Sequence, residues 1–337
     1  MFTIAVDVMG GDLGPRVAFK ACKKILRSNA DLSLILSMTS EYVQAASAYL
    51  SRYESRISIL TSDDFIAMDQ QPAKVLRYGK QSSMALAVQQ VRDGHAQGVI
   101  SVGNTGALMV LCRSILGTVN SISRPALATQ IPTQGKPLLM LDLGANLSSS
   151  ADQLCEFARL GAAWCKAQGE RSPKVAMLNI GQESCKGTAE VQLAGQMLSE
   201  QMGQYYVGYR EGDSIYRGEL DVLACDGFSG NVALKTSEGL AGWVSIELAR
   251  VFDQSSWSWL LKPLWARVLK GVLKRFTSTR YAGALLLGVN GIVVKTHGKS
   301  DEIAFLAAMN YLIEQLRVVD LNLLRAELVR LDPANHP

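Results

Sequence analysis

The strongest constraint on this chain is a rhythm. Short apolar runs alternate with longer amphipathic stretches along most of its length. The runs are Thr3–Val8, Leu32–Ser37, Ile57–Leu60, Gly98–Val102, Leu138–Asp142, Val175–Asn179, Val222–Cys225 and Gly291–Lys295. Several are apolar at consecutive positions, which suits a strand covered on both faces. Helical patterns fall between them, at Pro15–Ser28, Ser82–Asp93, Gln153–Gln168 and Thr188–Met202. Strand–helix alternation of this kind predicts βαβ units and a mainly parallel sheet. No internal repeat, low-complexity tract or long linker interrupts it. With 337 residues, 48% of them hydrophobic and 19% charged, the chain can bury a large core. We read residues 1–337 as a single α/β domain, with a helical excursion at 253–280.

Charge and composition exclude several roles. A net charge of +4 is too mild to predict nucleic-acid binding. The six cysteines, at 22, 112, 155, 165, 185 and 225, form no Cys-x-x-Cys pair and have no histidine at metal-ligand spacing. They read as buried thiols in a reducing compartment, and no metal site is expected. A signal peptide is not expected, because the apolar run at 2–6 meets Asp7 at once. No uninterrupted apolar stretch reaches 18 residues, so a membrane span is not expected and a cytoplasmic location is.

The loops that follow the runs share a composition. They are Asp7-Val-Met-Gly-Gly-Asp-Leu-Gly-Pro15, Gly103-Asn-Thr-Gly106, Asp142-Leu-Gly-Ala-Asn146, Asn179-Ile-Gly181 running on to Lys186-Gly187, Asp226-Gly-Phe-Ser-Gly-Asn231 and Gly288-Val-Asn-Gly291. Ligands of open α/β sheets bind beyond the carboxyl ends of strands. Glycines there admit close backbone approach, and helix N-termini favour anions. A single loop of this kind is as well explained by a turn. Six in one chain point to an anion site. None is a nucleotide cradle: Gly-x-Gly-x-x-Gly is absent, and so is Gly-x-x-x-x-Gly-Lys-Ser/Thr. The anion expected is phosphate itself.

Acyl transfer from a thioester to inorganic phosphate would suit such a site. Phosphate is already nucleophilic and needs positioning and partial neutralisation more than a base. The thioester carbonyl becomes an oxyanion and needs preorganised donors. Asn104, Asn146, Asn179, Asn231 and Asn290 stand in the loops, with Lys186, Lys235, Lys295 and Arg124 near them in sequence. Each asparagine could equally be a turn or cap residue, and each lysine a solvated surface group. Asp7, Asp142 and Asp226 are expected to orient loops and lysines, since a bare carboxylate repels phosphate.

Several stretches together resemble the phosphate acyltransferase family of bacterial phospholipid synthesis, the acyl-acyl-carrier-protein:phosphate transacylases. They are Ala5–Pro15, Ser82–Met84, Ser101–Met109, Arg124–Thr129, Leu141–Asn146, Leu178–Gly181 with Lys186-Gly187, Asp226–Gly239 and Leu287–Gly298. The resemblance implies a three-layer αβα sandwich, similar to phosphotransacetylases and to isocitrate and isopropylmalate dehydrogenases. It implies transfer of an acyl group from acyl carrier protein to inorganic phosphate, with no cofactor, by a homodimer. Lys186 and Asn231 are the expected catalytic pair. Gly10, Gly11, Asn104, Thr105, Gly106, Asn146, Asn179, Lys295 and His297 are the expected phosphate or substrate contacts. For His297, action on the leaving thiolate and a structural role both stand. Two departures occur. Leu147-Ser148 stands where the family usually places an aspartate, and Gln182-Glu-Ser-Cys185 keeps only one acid, Glu183.

Residues 257–276 carry a second signal. At helical spacing Leu261, Leu264, Trp265, Val268, Leu269, Val272, Leu273 and Phe276 share one side, and Lys262, Arg267, Lys270, Lys274 and Arg275 the other. A basic face opposite an aromatic-rich apolar face suits a helix lying on the inner face of the cell membrane. Trp265, Leu269, Lys270 and Lys274 are the expected contacts. The same face could dock acidic acyl carrier protein, or the segment could pack within the dimer. Two other functions compete. A coenzyme A-dependent phosphate acyltransferase would share the loops, and a non-catalytic membrane-surface scaffold would need only this segment.

Overall fold

The computed structural model describes residues 2–119, 122–254 and 283–332. The amphipathic segment at 257–276, with Trp265, Leu269, Lys270 and Lys274, lies outside the described residues, as does the excursion at 253–280 beyond residue 254.

Among the described residues eleven strands form one continuous sheet. In its first block β1 (Phe2–Asp7) pairs in parallel with β2 (Leu32–Thr39), and β2 pairs with β3 (Ile57–Ser62). On the other side of β1 come β4 (Gly98–Ser101) and then β11 (Ile292–Thr296), both parallel to it. The second block is also parallel: β6 (Leu138–Leu141), β9 (Val222–Ala224), β7 (Val175–Leu178) and β8 (Tyr206–Arg210). Two strands join the blocks. β10 (Gly283–Leu287) is antiparallel to β11 and to β5 (Ala126–Ile131), and β5 is antiparallel to β6. Three successive reversals leave the two parallel blocks running in opposite directions. The strand-end loops of the two blocks therefore emerge at opposite edges of the sheet.

Helices cover both faces, which is why the strands read as unbroken apolar runs. On one face α1 (Pro15–Ser28), α2 (Ser40–Leu50), α6 (Ala151–Ala167), α7 (Ala189–Gln201), α9 (Glu302–Val318) and α10 (Leu321–Arg330) build a single core. It runs from Ile4, Val6 and Leu36 through Ala128 and Leu141 to Val222. Local signals set the helix starts. Pro15 opens α1, Ser150 and Gln153 form a reciprocal capping box before α6, and Thr188 caps α7. Gly161 lets α6 lie directly on β9, since a Cβ there would overlap a Val222 methyl.

The opposite face is different, because its core is split. Ala5, Ile35, Val99, Leu286 and Val293 pack under α4 (Ser83–Arg92) and α5 (Thr105–Ile115). Leu138, Met140, Ala176 and Leu223 form a separate cluster with Ala233 and Leu234 of α8 (Gly227–Gln254). The gap between the two clusters lies over β5 and β10.

Two sequence expectations change here. Gly288-Val-Asn-Gly291 is the hairpin turn joining β10 to β11, where the Asn290 amide donates to Leu116 and Thr118 carbonyls. It is a turn at the far end of β11, away from Lys295. The cysteines are all free, but they are not uniformly buried. Cys165 is half-buried and Cys185 is exposed beside Lys186.

Candidate active site

Where the face-wide core divides, a cavity of about 250 Å³ opens. Leu127 and Thr129 of β5 and Gly283 and Ala284 of β10 form its floor. The first block contributes Thr105 at the start of α5, and Lys295, Thr296 and His297 at the end of β11. The second block contributes Leu143 after β6 and, from α8, Asn231, Leu234, Lys235 and Glu238. Residues from both edges of the sheet meet because the cavity sits on its face, across the antiparallel seam.

Lys295 is the most constrained group. Its side chain is buried on β11, and Nζ donates to the Thr296 carbonyl and, at 3.5 Å, to that of Val102. Burial draws its pKa down to about 8, partly countered by the charge of Asp7. Asp7 is buried at the end of β1. It accepts from the Ser101 hydroxyl at 2.7 Å, the Ser83 hydroxyl at 2.8 Å and the Met9 amide at 3.3 Å. Burial lifts its pKa to about 6, against these hydrogen bonds and Lys295. At neutral pH the carboxylate and the ammonium are thus both largely ionised.

His297 sits at the rim. Its Nδ1 accepts from the Lys299 amide at 3.1 Å, so a neutral ring carries its proton on Nε2. Desolvation first, then Lys235 and Lys295, lowers its pKa and keeps the ring neutral. Lys235 pairs with Glu238 at 2.6 Å. Both side chains are about half exposed, at 45% and 54%, so this pair is weak and Lys235 can turn to an arriving anion.

Asn231 lies one turn into α8. Its amide donates to the Leu143 carbonyl at 3.2 Å, which leaves one N–H for a ligand. Gly144 makes this approach fit: its φ is +117°, and a Cβ there would lie 2.8 Å from Asn231 Nδ2. Two cations, a neutral imidazole, a hydroxyl and an amide thus face one space, opposed by a single carboxylate, Glu238. Such a space suits an anion beside a carbonyl.

The other sequence-predicted residues fall elsewhere. Gly10 and Gly11 pack against the neighbouring loop, since a Cβ on Gly10 would come 2.9 Å from Gly103 Cα and one on Gly11 3.1 Å from Val102 methyls. Asn104 caps α5 through the Ala107 amide at 2.9 Å, and its Nδ2 holds the Met68 and Gln70 carbonyls. Gly106 lies in the first turn of α5, against Pro72. Asn146 is buried, donating to Pro125 at 2.9 Å and to Asp142 at 3.0 Å. Asn179 binds the Lys186 carbonyl at 3.1 Å and so shapes the loop that carries Lys186. The Lys186 side chain is exposed on that loop, beyond β7 and outside the cavity wall. Asp226 holds the start of α8 through the Ser229 amide and hydroxyl. Among the described residues no group of three or more His, Cys, Asp or Glu could hold a metal ion.

Sequence reasoning did not single out Glu238, or the serines that bind Asp7. Lys235 was visible four residues after Asn231, on the same face of a helix. Ser83 and Ser101 lie 76 and 94 residues from Asp7, a separation that no local pattern spans.

Comparison with known proteins shows the family and the fold. Residues 2–318 match the family described as fatty acid synthesis protein. The chain is 42% identical over 307 residues to the phosphate acyltransferase of Stutzerimonas stutzeri (strain A1501), covering 91% of this chain and 86% of that one. It is 41% identical over 341 residues to the phosphate acyltransferase of Shewanella sp. (strain MR-4), covering 99% of each. Among solved structures, a phosphotransacetylase from Streptococcus pyogenes superposes with a TM-score of 0.63 at 18% identity, over 94% of each chain. A branched-chain phosphotransacylase from Enterococcus faecalis V583 gives 0.58 at 14% identity, over 94% of this chain and 100% of that one. A 4-hydroxythreonine-4-phosphate dehydrogenase from Klebsiella pneumoniae gives 0.56 at 11% identity, over 94% of this chain and 100% of that one. These likenesses show a shared fold: α/β, three-layered, with a mainly parallel sheet.

Proposed function

The chain belongs to the fatty acid synthesis protein family, among relatives that are phosphate acyltransferases, and from that premise we propose that it moves a fatty acyl group from acyl carrier protein to inorganic phosphate. The observation that carries this reading is the cavity, where Lys295, Lys235, His297 and Asn231 converge without a nucleotide cradle. A phosphate oxygen bonds to the thioester carbon, the carbon–sulfur bond breaks, and the proton of monohydrogen phosphate ends on the carrier thiol. The products are acyl phosphate and free acyl carrier protein.

In this reading Lys295 and Lys235 hold phosphate beside the first turn of α5, where Thr105 adds a hydroxyl and open amides. Asn231 donates its remaining N–H to the carbonyl oxygen as charge builds there. Lys186 approaches from the loop after β7, the neighbour of the strand that feeds α8, and neutralises the tetrahedral oxyanion. His297 presents Nε2–H toward the leaving sulfur. The basic amphipathic stretch at 257–276 favours peripheral contact with the inner face of the membrane, where an acyl product partitions. A homodimer is part of the same proposal.

The test is incubation with hexadecanoyl acyl carrier protein, with and without phosphate, following free thiol. Phosphate-dependent thiol release is expected. Its absence overturns the reading, and equal use of a coenzyme A thioester would reassign the donor. Lys186→Ala and Asn231→Ala are each expected to lower turnover by about 100-fold, the cost of one oxyanion donor. Wild-type rates in both folded variants would remove them from the chemistry.

A further inference from the structure

A second cavity, of about 160 Å³, adjoins the first and shares Thr129, Leu234 and Glu238 with it. Beyond that border its wall changes character. Ile131 and Pro132 close one side, Tyr216 another, and Ala241 stands at the far end. The cations of the first cavity are absent from this wall. Ser237 faces it too, but its hydroxyl is already engaged by the Ala233 carbonyl at 2.7 Å. The Thr129 hydroxyl likewise has the Gly283 carbonyl, at 3.4 Å. An apolar occupant would therefore leave neither hydroxyl without a partner.

The two cavities lie along one stripe of α8. Asn231, Leu234, Glu238 and Ala241 follow one another at three- and four-residue spacing, so they share a helix face. From Asn231 to Ala241 this stripe runs about 15 Å at the rise of an α-helix. Thr129 and Ile131 of β5 are two residues apart and point to the same face of the sheet. Strand and helix thus wall a corridor that begins at an amide donor among cations and ends at Ile131, Pro132 and Ala241, with Gln130 and Tyr216 beside them.

We propose that this corridor is the acyl-chain subsite: the chain of the substrate runs from the carbonyl at Asn231, past Leu234, into the pocket of Ile131, Pro132, Tyr216 and Ala241. The proposal rests on the acyl-transfer reading and specifies where its hydrocarbon lies. Glu238, which lines both cavities, marks the border. Ala241 sets the depth, so the residue at this position fixes which chain lengths are preferred. Each methylene that reaches the apolar wall is worth about fourfold in affinity.

The experiment compares octanoyl, dodecanoyl and hexadecanoyl acyl carrier protein as donors to phosphate with the full-length protein. Ala241→Phe is expected to lower the ratio of hexadecanoyl to octanoyl kcat/KM at least tenfold. Tyr216→Ala, which removes bulk from the wall, is expected to raise the same ratio severalfold. A ratio unchanged in both variants, or in Tyr216→Ala alone if Ala241→Phe does not fold, overturns the corridor. Failure of the underlying reading looks different, because wild-type protein would then release no thiol in response to phosphate from any of the three donors.

Discussion

Two aspartates occupy matching places in the two blocks of the sheet. Asp7 ends β1 in the first, and Asp142 follows β6 in the second. Both are buried, and burial raises the pKa of each. Their partners differ. Asp142 accepts from three backbone amides, of Leu127, Ala145 and Asn146, at 2.8, 3.1 and 2.6 Å, and from the Asn146 side chain. It holds together the chain segments that meet behind Asn231. Asp7 accepts from two serine hydroxyls and one amide, and its charge is felt by Lys295 on the cavity wall. The same residue type at the same topological place serves as a backbone pin in one block and as a counter-charge in the other. Backbone donors fix geometry, whereas a buried cation needs a counter-charge to stay ionised.

The comparison is strongest where Asp142 is removed. Asp142→Ala strands three amides and a side-chain donor in a buried site, and a loss of about 4 kcal/mol is expected. Urea denaturation should show a lower midpoint at unchanged slope. Lys295→Met should act in the opposite sense. A buried charge gives way to an apolar chain, so stability holds or rises, while kcat/KM falls about 100-fold, or about 2.7 kcal/mol. If stability and activity fell together in this variant, the contrast between pin and counter-charge would collapse.

Asp7→Asn sharpens the contrast through pH. Activity that requires protonated Lys295 should decline as pH rises past about 8. Without the carboxylate the ammonium loses support, and the decline should move toward neutral pH by about one unit. The same two groups also make stability depend on pH. Asp7 titrates near 6 in the folded chain against an ordinary 3.8, so the folded state holds more protons in that window and stability falls as pH rises through it. Lys295 titrates near 8 against 10.5, so the unfolded state holds more protons there and stability recovers across that range. A trough between about pH 6 and 8, on the order of 3 kcal/mol deep, should appear in thermal melts and vanish in the double variant Asp7→Asn/Lys295→Met.

Much of the fold was legible in the sequence, and the exceptions are instructive. The helix Pro15–Ser28 forms over the predicted bounds, and eight predicted strands form within two residues of expectation at each end. The missed strands are β5, β8 and β10. β5 reads Ala-Leu-Ala-Thr-Gln-Ile and β10 Gly-Ala-Leu-Leu-Leu, both rich in residues that favour helices. Tertiary pairing at the seam overrides that preference, and Gly208 breaks the pattern of β8. Missing the two seam strands also hid the reversal of direction, so loops that looked alike in sequence were read together as one anion site.

At the site, residue type was more legible than placement. Thr105, Lys295, His297 and Asn231 do line one cavity. Gly10, Gly11, Asn104, Asn146 and Asn179 have side-chain or backbone duties within the loops themselves. A glycine that admits another loop and a glycine that admits a ligand are identical in a sequence.

The seam also sets an order of assembly. β11 lies between β4 and β10, yet it is made almost 200 residues after β4 on any ribosome. Until β10 and β11 emerge, the facing edges of β4 and β5 have no neighbours, a condition that invites wrong pairing during synthesis. Lys295 arrives with that same strand. In the proposed reading the newborn chain therefore cannot grip phosphate until its sheet is closed, and binding competence comes only with the last of its described strands.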